Sequence, residues 1–477
     1  MPQNRRIYLL DPKKLSPETI AVTFAKTSRS PLPFDAIAEE LSDERAADFH
    51  EKWVVGYGHS SVAEHAVLHI AIENVSRLAI ECLESNRLAS YTEKSSRYQV
   101  WDADHYYIPD EFNDKQLHTL FVQTCRDLFS AYQESFTAIS EALGKQLQPN
   151  ANESERAFQT RVRSTSADVC RYFLPACSLA NVGISINARA LEHAIIKMLS
   201  HPLREVQAIG HEIKHNALDH VPTLVKYADP SPYLISLRDN HMQAGAATVG
   251  NHQESEEWCS CISCSDNGQE KILAALLYRF STCSMAAALD QVNHLNNAEK
   301  KELVKKFVMM KGTHDQVLRE FEYGSATIDL VLDQGAYFEL KRHRMMTQTA
   351  QAFTPALGFA IPKLIEINGL SDLFKDMMHT ASAAYETLAK QDPTAAAYVL
   401  PNAFNRRVLM NINLRSAIHL VKLRFAENAH FAICRPILRI AETLQEHFPL
   451  FDEILTPCTD ETWQGVEKDY FSETHAN

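Results

Sequence analysis

In Lys341-Arg342-His343-Arg344, two arginines flank a histidine and follow a lysine. Guanidinium forks match phosphates and carboxylates, and an imidazole between them can donate, accept or stack. Alone, such a run would equally suit a solvated surface. A second arginine-bearing stretch, Ser85 to Tyr98, contains Arg87 and Arg97. Both are candidates for holding an anion. A third stretch, Gly58-His59-Ser60-Ser61-Val62-Ala63-Glu64-His65, gathers two histidines and a glutamate. It lacks the paired-histidine helix spacing of a zinc protease and serves either as a ligand loop or as a helix start capped by Ser60 or Ser61. Cys259, Cys261 and Cys264 could hold zinc or oxidise, but His252 is distant and no fourth ligand stands at a standard spacing. They are expected to be ordinary linker residues, and no metal site is expected.

The surrounding composition narrows the chemistry. The 477 residues are 45% apolar, which suits a globular chain of about two domains. A net charge of −13 argues against general nucleic-acid binding and makes any local cluster of arginines more pointed. No apolar run approaches a membrane span, and the first residues do not resemble a secretory signal. Ten scattered cysteines do not form a disulfide scaffold. A cytoplasmic protein is expected.

The elements that would position these residues recur twice. Ile7–Leu10 suggests a strand and Thr19–Ala25 a helix; Val67–Ile72 suggests a strand, and Ser76–Ile80 a helix. Phe112–Arg163 is helical, with Leu117, Leu120, Phe121, Leu128 and Tyr132 on one stripe and a break at Asn150–Glu155. Leu191, Ile195, Met198 and Leu199 mark an amphipathic helix. Asp229-Pro230-Ser231-Pro232 and a polar stretch then separate this half from a second. There Ile272–Ser281 echoes the first helix, and Gly312–Glu320 is a worn version of the Gly58 box. Pro175 precedes Asn187 by twelve residues, and Pro401 precedes Asn413 by twelve. The equal spacing indicates a tandem duplication.

The clusters resemble the flavin-dependent thymidylate synthases, the ThyX family. Its motif runs Arg-His-Arg, seven residues, Ser, one residue, Arg-Tyr. The later stretch supplies Arg342, His343 and Arg344 but has Ala352, Thr354 and Pro355 where the rest should stand. The earlier one supplies Ser95, Arg97 and Tyr98 but keeps only Arg87 of the triplet. Gly58–His65 resembles the family's flavin-contacting box, and the Leu-Pro followed by Asn-Ala-Arg at 187–189 resembles its site-lining helix. Arg171 matches a phosphate-contacting arginine that is Ala397 in the second copy. Arg424 matches an arginine that orients the pyrimidine and is Met198 in the first copy. Each copy holds what the other lacks.

The resemblance implies an α+β fold of two tandem domains, 1–235 and 269–477, joined by a linker over 236–268. Each domain would be a mostly antiparallel sheet packed with helices. It implies reductive methylation of dUMP to dTMP with FAD, methylenetetrahydrofolate and NADPH, in a composite site drawn from both copies. Alternatives are a flavin- or nucleotide-binding pseudoenzyme, or a relative modifying another pyrimidine nucleotide. Arg424 is expected to be catalytic. Glu93, Ser95, Ser96, Arg97, Arg171, Arg342 and Arg424 are expected at the substrate. His59, Ser61, Glu64, Arg87, Asn187, His343, Arg344, Asn413, Arg415 and His419 are expected at the cofactor. Partners would be a small-molecule nucleotide and folate, with no nucleic acid and no membrane, in a homodimer that mimics the family's tetramer. Glu339 stands where family members often carry Gln, and its charge is expected to repel a phosphate.

Overall fold

Short polar side chains set where the helices begin. Asp114 accepts from the Gln116 and Leu117 amides at the start of the Lys115–Gln146 helix. Ser154 accepts from Ala157 N at the Glu155–Cys170 helix. Asn187 and Asn413 each accept from the amide three residues on, at 2.9 and 2.8 Å, and open the Ala188–Leu199 and Leu414–Arg424 helices. These contacts satisfy amides that the first turn leaves without partners. The computed structural model describes residues 6, 8, 10–27, 30–56, 60–97, 99–237, 257–308, 312, 315–425, 429–457 and 459–476. Ile7 and Leu9 of the expected first strand, together with His59 and Tyr98, lie outside them.

The chain divides into two compact units. The first comprises Met1–Lys94, Tyr106–Asn113 and Cys177–His252. Its antiparallel sheet has the order β1 (Val67–Ser76), β3 (Leu179–Asn187), β2 (Ala89–Glu93). A bulge between Ile72 and Val75 includes Asn74 at a φ of 56°, a conformation asparagine tolerates. Ser76 ends β1 and caps the Arg77–Leu83 helix, while its own N–H and hydroxyl donate to the buried Glu205 carboxylate.

The second unit comprises Ser95–His105, Asp114–Ala176 and Gln253–Asn477. Its main sheet is antiparallel in the order β4 (Cys259–Cys264), β5 (Ser325–Asp333), β8 (Asn405–Asn413), β6 (Thr347–Ala350). A small sheet pairs β7 (Phe359–Pro362) with β9 (Phe471–Ala476). The protein is thus α+β. The order β5-β8-β6 repeats β1-β3-β2, and each repeat continues from its first strand into a seven-residue helix, Arg77–Leu83 or Gln334–Leu340. Cys259–Cys264, taken from the sequence as linker, is instead the strand β4: a non-local ladder to β5 overrides its turn-like composition.

Residues 95–105 and 114–176, which belong by sequence to the first repeat, pack within the second unit. There the two equivalent Leu-Pro segments meet. Ala176 N donates to Leu400 O at 2.9 Å, and Asn402 N donates to Leu174 O at 3.1 Å. The expected stripe of the Lys115–Gln146 helix is inward, with Phe121, Leu128 and Tyr132 fully buried. Among the described residues no helix is long and apolar enough to cross a membrane.

Candidate functional site

The second unit brings Arg97, Arg171, Arg342 and Arg424 around one carboxylate. Asp333 ends β5 and caps the Gln334–Leu340 helix by accepting from Ala336 N at 2.9 Å. This helix carries Glu339, and the turn that follows carries Arg342, His343 and Arg344. Glu339 lies 2.6 Å from Arg424 Nη1, at the end of the Leu414–Arg424 helix, and 3.9 Å from Arg342 Nη1. Burial alone would push the Glu339 carboxyl up. The charges of Arg342, Arg171, Arg424 and Arg97 overcome that and hold it below the usual glutamate range. Glu339 therefore carries its negative charge within the cluster, paired with Arg424 and beside Arg342. It is the counter-charge that the arginines already share.

Each arginine is held in its own way. Arg97 donates to Asp168 from Nε and Nη2, at 2.8 and 3.0 Å, in a two-pronged pair with side chains 19% and 16% exposed. Its backbone N–H donates to Ser95 Oγ at 3.2 Å, and Ser96 is buried. Arg171 is 2% exposed and donates from Nη2 to Gly335 O at 3.1 Å. It stands behind the cluster and acts on Glu339 through its field. Arg342 is the most open, with 41% of its side chain exposed.

Gly335 is fixed by this packing. A Cβ there would lie 2.9 Å from Asp333 Oδ1 and 3.1 Å from Arg171 Nη2. Gly335→Ala should destabilise the protein by about 1–3 kcal/mol, the usual cost of overfilling a packed core. Chemical denaturation would measure it, and an unchanged midpoint would contradict it.

Histidines line the cluster as neutral groups. Arg424 Nε donates to His343 Nε2 at 2.8 Å, so that nitrogen must keep its lone pair. Burial first, then the Arg424 and His419 charges, lower the His343 pKa to about 3. The His419 ring lies 5.9 Å from it. Behind Arg97, His430 donates from Nε2 to Asp168 O at 3.0 Å and accepts from Ala432 N at Nδ1. Burial, then Arg171 and Arg97, drive its pKa well below the ordinary value. A histidine pKa depressed on folding contributes stability that is present above the unfolded value of about 6.5 and lost as pH falls below it. The expected result is a melting temperature that declines from about pH 6.5 downward, less steeply in His343→Gln. In NMR titration, the His343 ring signal should stay constant from pH 8 to about pH 5.

The remaining cofactor candidates are divided between the units. In the second, Arg415 and His419, with Asp315, Gln316 and Lys422, line a cavity of about 230 Å³. Arg415 donates to Glu322 at 3.0 Å, Gln316 Oε1 at 3.2 Å and Val317 O at 3.2 Å. The Arg344 N–H donates to Arg342 O at 3.2 Å. In the first unit, Ser61 and Glu64 lie exposed on the Ser60–His65 helical turns, Glu64 is paired with Arg189, and Arg87 lies exposed before β2. Glu93 is also in the first unit, buried against Arg77 at 3.2 Å. The carboxylates that tie the arginines, Asp168 and Glu339, were not anticipated as partners. Asp168 is 71 residues from Arg97, so no local spacing announces the pair.

Four guanidiniums thus lie near Glu339 and Asp168 in an otherwise acidic protein. Comparison with known proteins gives the chain a family. The family model described as thymidylate synthase complementing protein, Thy1, matches residues 10–223 and 262–450, and the chain belongs to that family. The two matched segments coincide with the tandem repeat. A UPF0159 protein of Chlamydia muridarum is 28% identical over 443 residues, 88% of this chain and 84% of that one. A flavin-dependent thymidylate synthase of Clostridium tetani is 26% identical over 234 residues, which is 49% of this chain and 90% of that protein. A ThyX of Helicobacter pylori solved with FAD and dUMP aligns at a TM-score of 0.32 and 19% identity, over 45% of this chain and 94% of that one.

Proposed function

We propose that this chain methylates dUMP to dTMP in a flavin-dependent reaction, with methylenetetrahydrofolate as one-carbon donor and NADPH as reductant. The observation that carries the proposal is the pairing of Glu339 with Arg342 and Arg424, within the charge field of Arg97 and Arg171 in the same unit. Family membership and the similarity to a flavin-dependent thymidylate synthase support it. In this reading Arg97 and Arg342 grip the nucleotide phosphate. Arg424 donates to the uracil ring and stabilises charge that develops there, while neutral His343 holds the Arg424 fork in line. Arg171 is a positioning residue that raises the local positive field. Ser95 and Ser96 shape the turn that presents Arg97.

The donor set around the 230 Å³ cavity fits part of FAD. Arg415 and Lys422 suit its pyrophosphate, and the flat ring of His419 suits stacking. Asn187 and Asn413 spend their side chains on helix caps, so they would shape such a site rather than grip a ligand. Bound flavin would supply the hydride that turns the transferred methylene into a methyl group. A homodimer, presenting four repeats like a tetramer of single-copy proteins, is part of the proposal and is measurable by light scattering.

The test is tritium release from dUMP labelled at C5, using the purified chain with FAD, methylenetetrahydrofolate and NADPH. Release together with a flavin absorption spectrum is the expected result. Binding of flavin and dUMP without release would mean a pseudoenzyme. Release from a different labelled pyrimidine nucleotide would redirect the substrate assignment.

A further inference from the structure

We propose that Cys261, Cys264 and His447 form a binding site for a zinc-class divalent cation in the second unit, apart from the arginine cluster. In a regular strand, residues three apart face opposite ways. The β4–β5 register breaks that alternation between Cys261 and Ser263. As a result Cys259, Cys261 and Cys264 oppose Leu330, Ile328 and Ala326, alternate residues of β5. The bulge places all three cysteines on one face and leaves Ile262 60% exposed. Such a bulge re-aims a side chain at the cost of a regular ladder, and here the side chain it re-aims is a thiol.

The result is a compact ligand set. The Cys261 and Cys264 sulfurs are 3.2 Å apart. The Phe431–His447 helix packs on β4 and ends with His447, whose ring nitrogen lies within 4.8 Å of both sulfurs. Tetrahedral zinc with bonds of about 2.3 Å to sulfur and 2.0 Å to nitrogen needs ligand atoms about 3.5–3.8 Å apart, so small side-chain rotations would close the site. Two thiolates and an imidazole select a borderline-soft ion over magnesium or calcium. Cys261 and Cys264 are part-exposed and His447 is exposed, which leaves room for water as fourth ligand. The ion would strap β4 to the end of the helix whose first turn is capped by His430, behind Arg97.

The test uses the full chain, reduced and exchanged against zinc alone, with the metal measured by mass spectrometry. About one tightly held zinc per chain is expected. Cobalt substitution should give the sulfur-to-cobalt charge-transfer and tetrahedral d–d bands. Cys261→Ser, Cys264→Ser and His447→Ala should each weaken zinc binding at least tenfold, while Cys283→Ser, outside the set, should not. If the cysteine variants fail to fold, His447→Ala and the cobalt spectrum of the unaltered chain decide. Absence of stoichiometric zinc, binding unchanged in His447→Ala, or a Cys261–Cys264 disulfide formed while zinc is present would overturn the proposal.

Discussion

Arg424→Ala and Arg97→Ala should each reduce tritium release from dUMP by about 10²–10³-fold, and mixing the two variants should not restore it. For Arg424 the magnitude is that of deleting one preorganised donor to developing charge; for Arg97 the loss is read with dUMP well below KM, where weaker phosphate binding lowers kcat/KM. Arg424 is committed in two directions at once, from Nε to His343 and from Nη1 to Glu339. A lysine offers a single ammonium point and cannot reproduce that fork, so Arg424→Lys should fail nearly as badly as alanine. Arg97 and Arg424 lie in the same unit of one chain, and the Arg97 charge helps to lower the Arg424 pKa. A mixed dimer would thus carry one defect in every such cluster. Recovery of activity on mixing would mean that the working site takes these arginines from different chains. The two variants should also separate kinetically, with Arg424→Ala lowering kcat and Arg97→Ala raising KM for dUMP.

The duplication was legible because its marks are local. Twelve residues from Pro to Asn are fixed by the length of the strand between them, β3 or β8, and the asparagine must cap the helix that follows. Helix stripes such as Phe121, Leu128 and Tyr132 were legible for the same reason. The partners of the arginines were not. Arg97 with Asp168, and Arg424 with Glu339, are 71 and 85 residues apart, and only packing of the Glu155–Cys170 and Gln334–Leu340 helices brings them together. β4 was hidden because a short stretch of Cys and Ser has no period that distinguishes strand from loop. The sharing of one unit between first-repeat and second-repeat segments is likewise a long-range property. It becomes visible where Leu174-Pro175 pairs with Leu400-Pro401.

Glu339→Gln should lower the melting temperature of the ligand-free protein and yet tighten dUMP binding. The carboxylate is 9% exposed and pairs with an Arg424 side chain that is 16% exposed. Removing one partner of a buried pair costs about 3–5 kcal/mol, because the other charge is left uncompensated, and partial solvent access places this case at the lower end. Glutamine keeps the shape and can still accept from Arg424, which reduces the loss further. The nucleotide then gains what the fold loses. A phosphate entering the unaltered cluster meets arginines whose field is partly cancelled by Glu339, whereas in the variant it becomes their counter-ion. The stabilisation produced by saturating dUMP should therefore be larger in Glu339→Gln than in the unaltered chain. The pH dependence offers an independent check. A carboxyl with a depressed pKa contributes stability that is present above its unfolded value and lost as pH falls through the folded one, so this contribution to acid sensitivity should vanish in the variant. Calorimetric melting with and without dUMP decides the matter. A variant less stable without ligand and no better at binding dUMP would mean that Glu339 braces the arginines without competing for them.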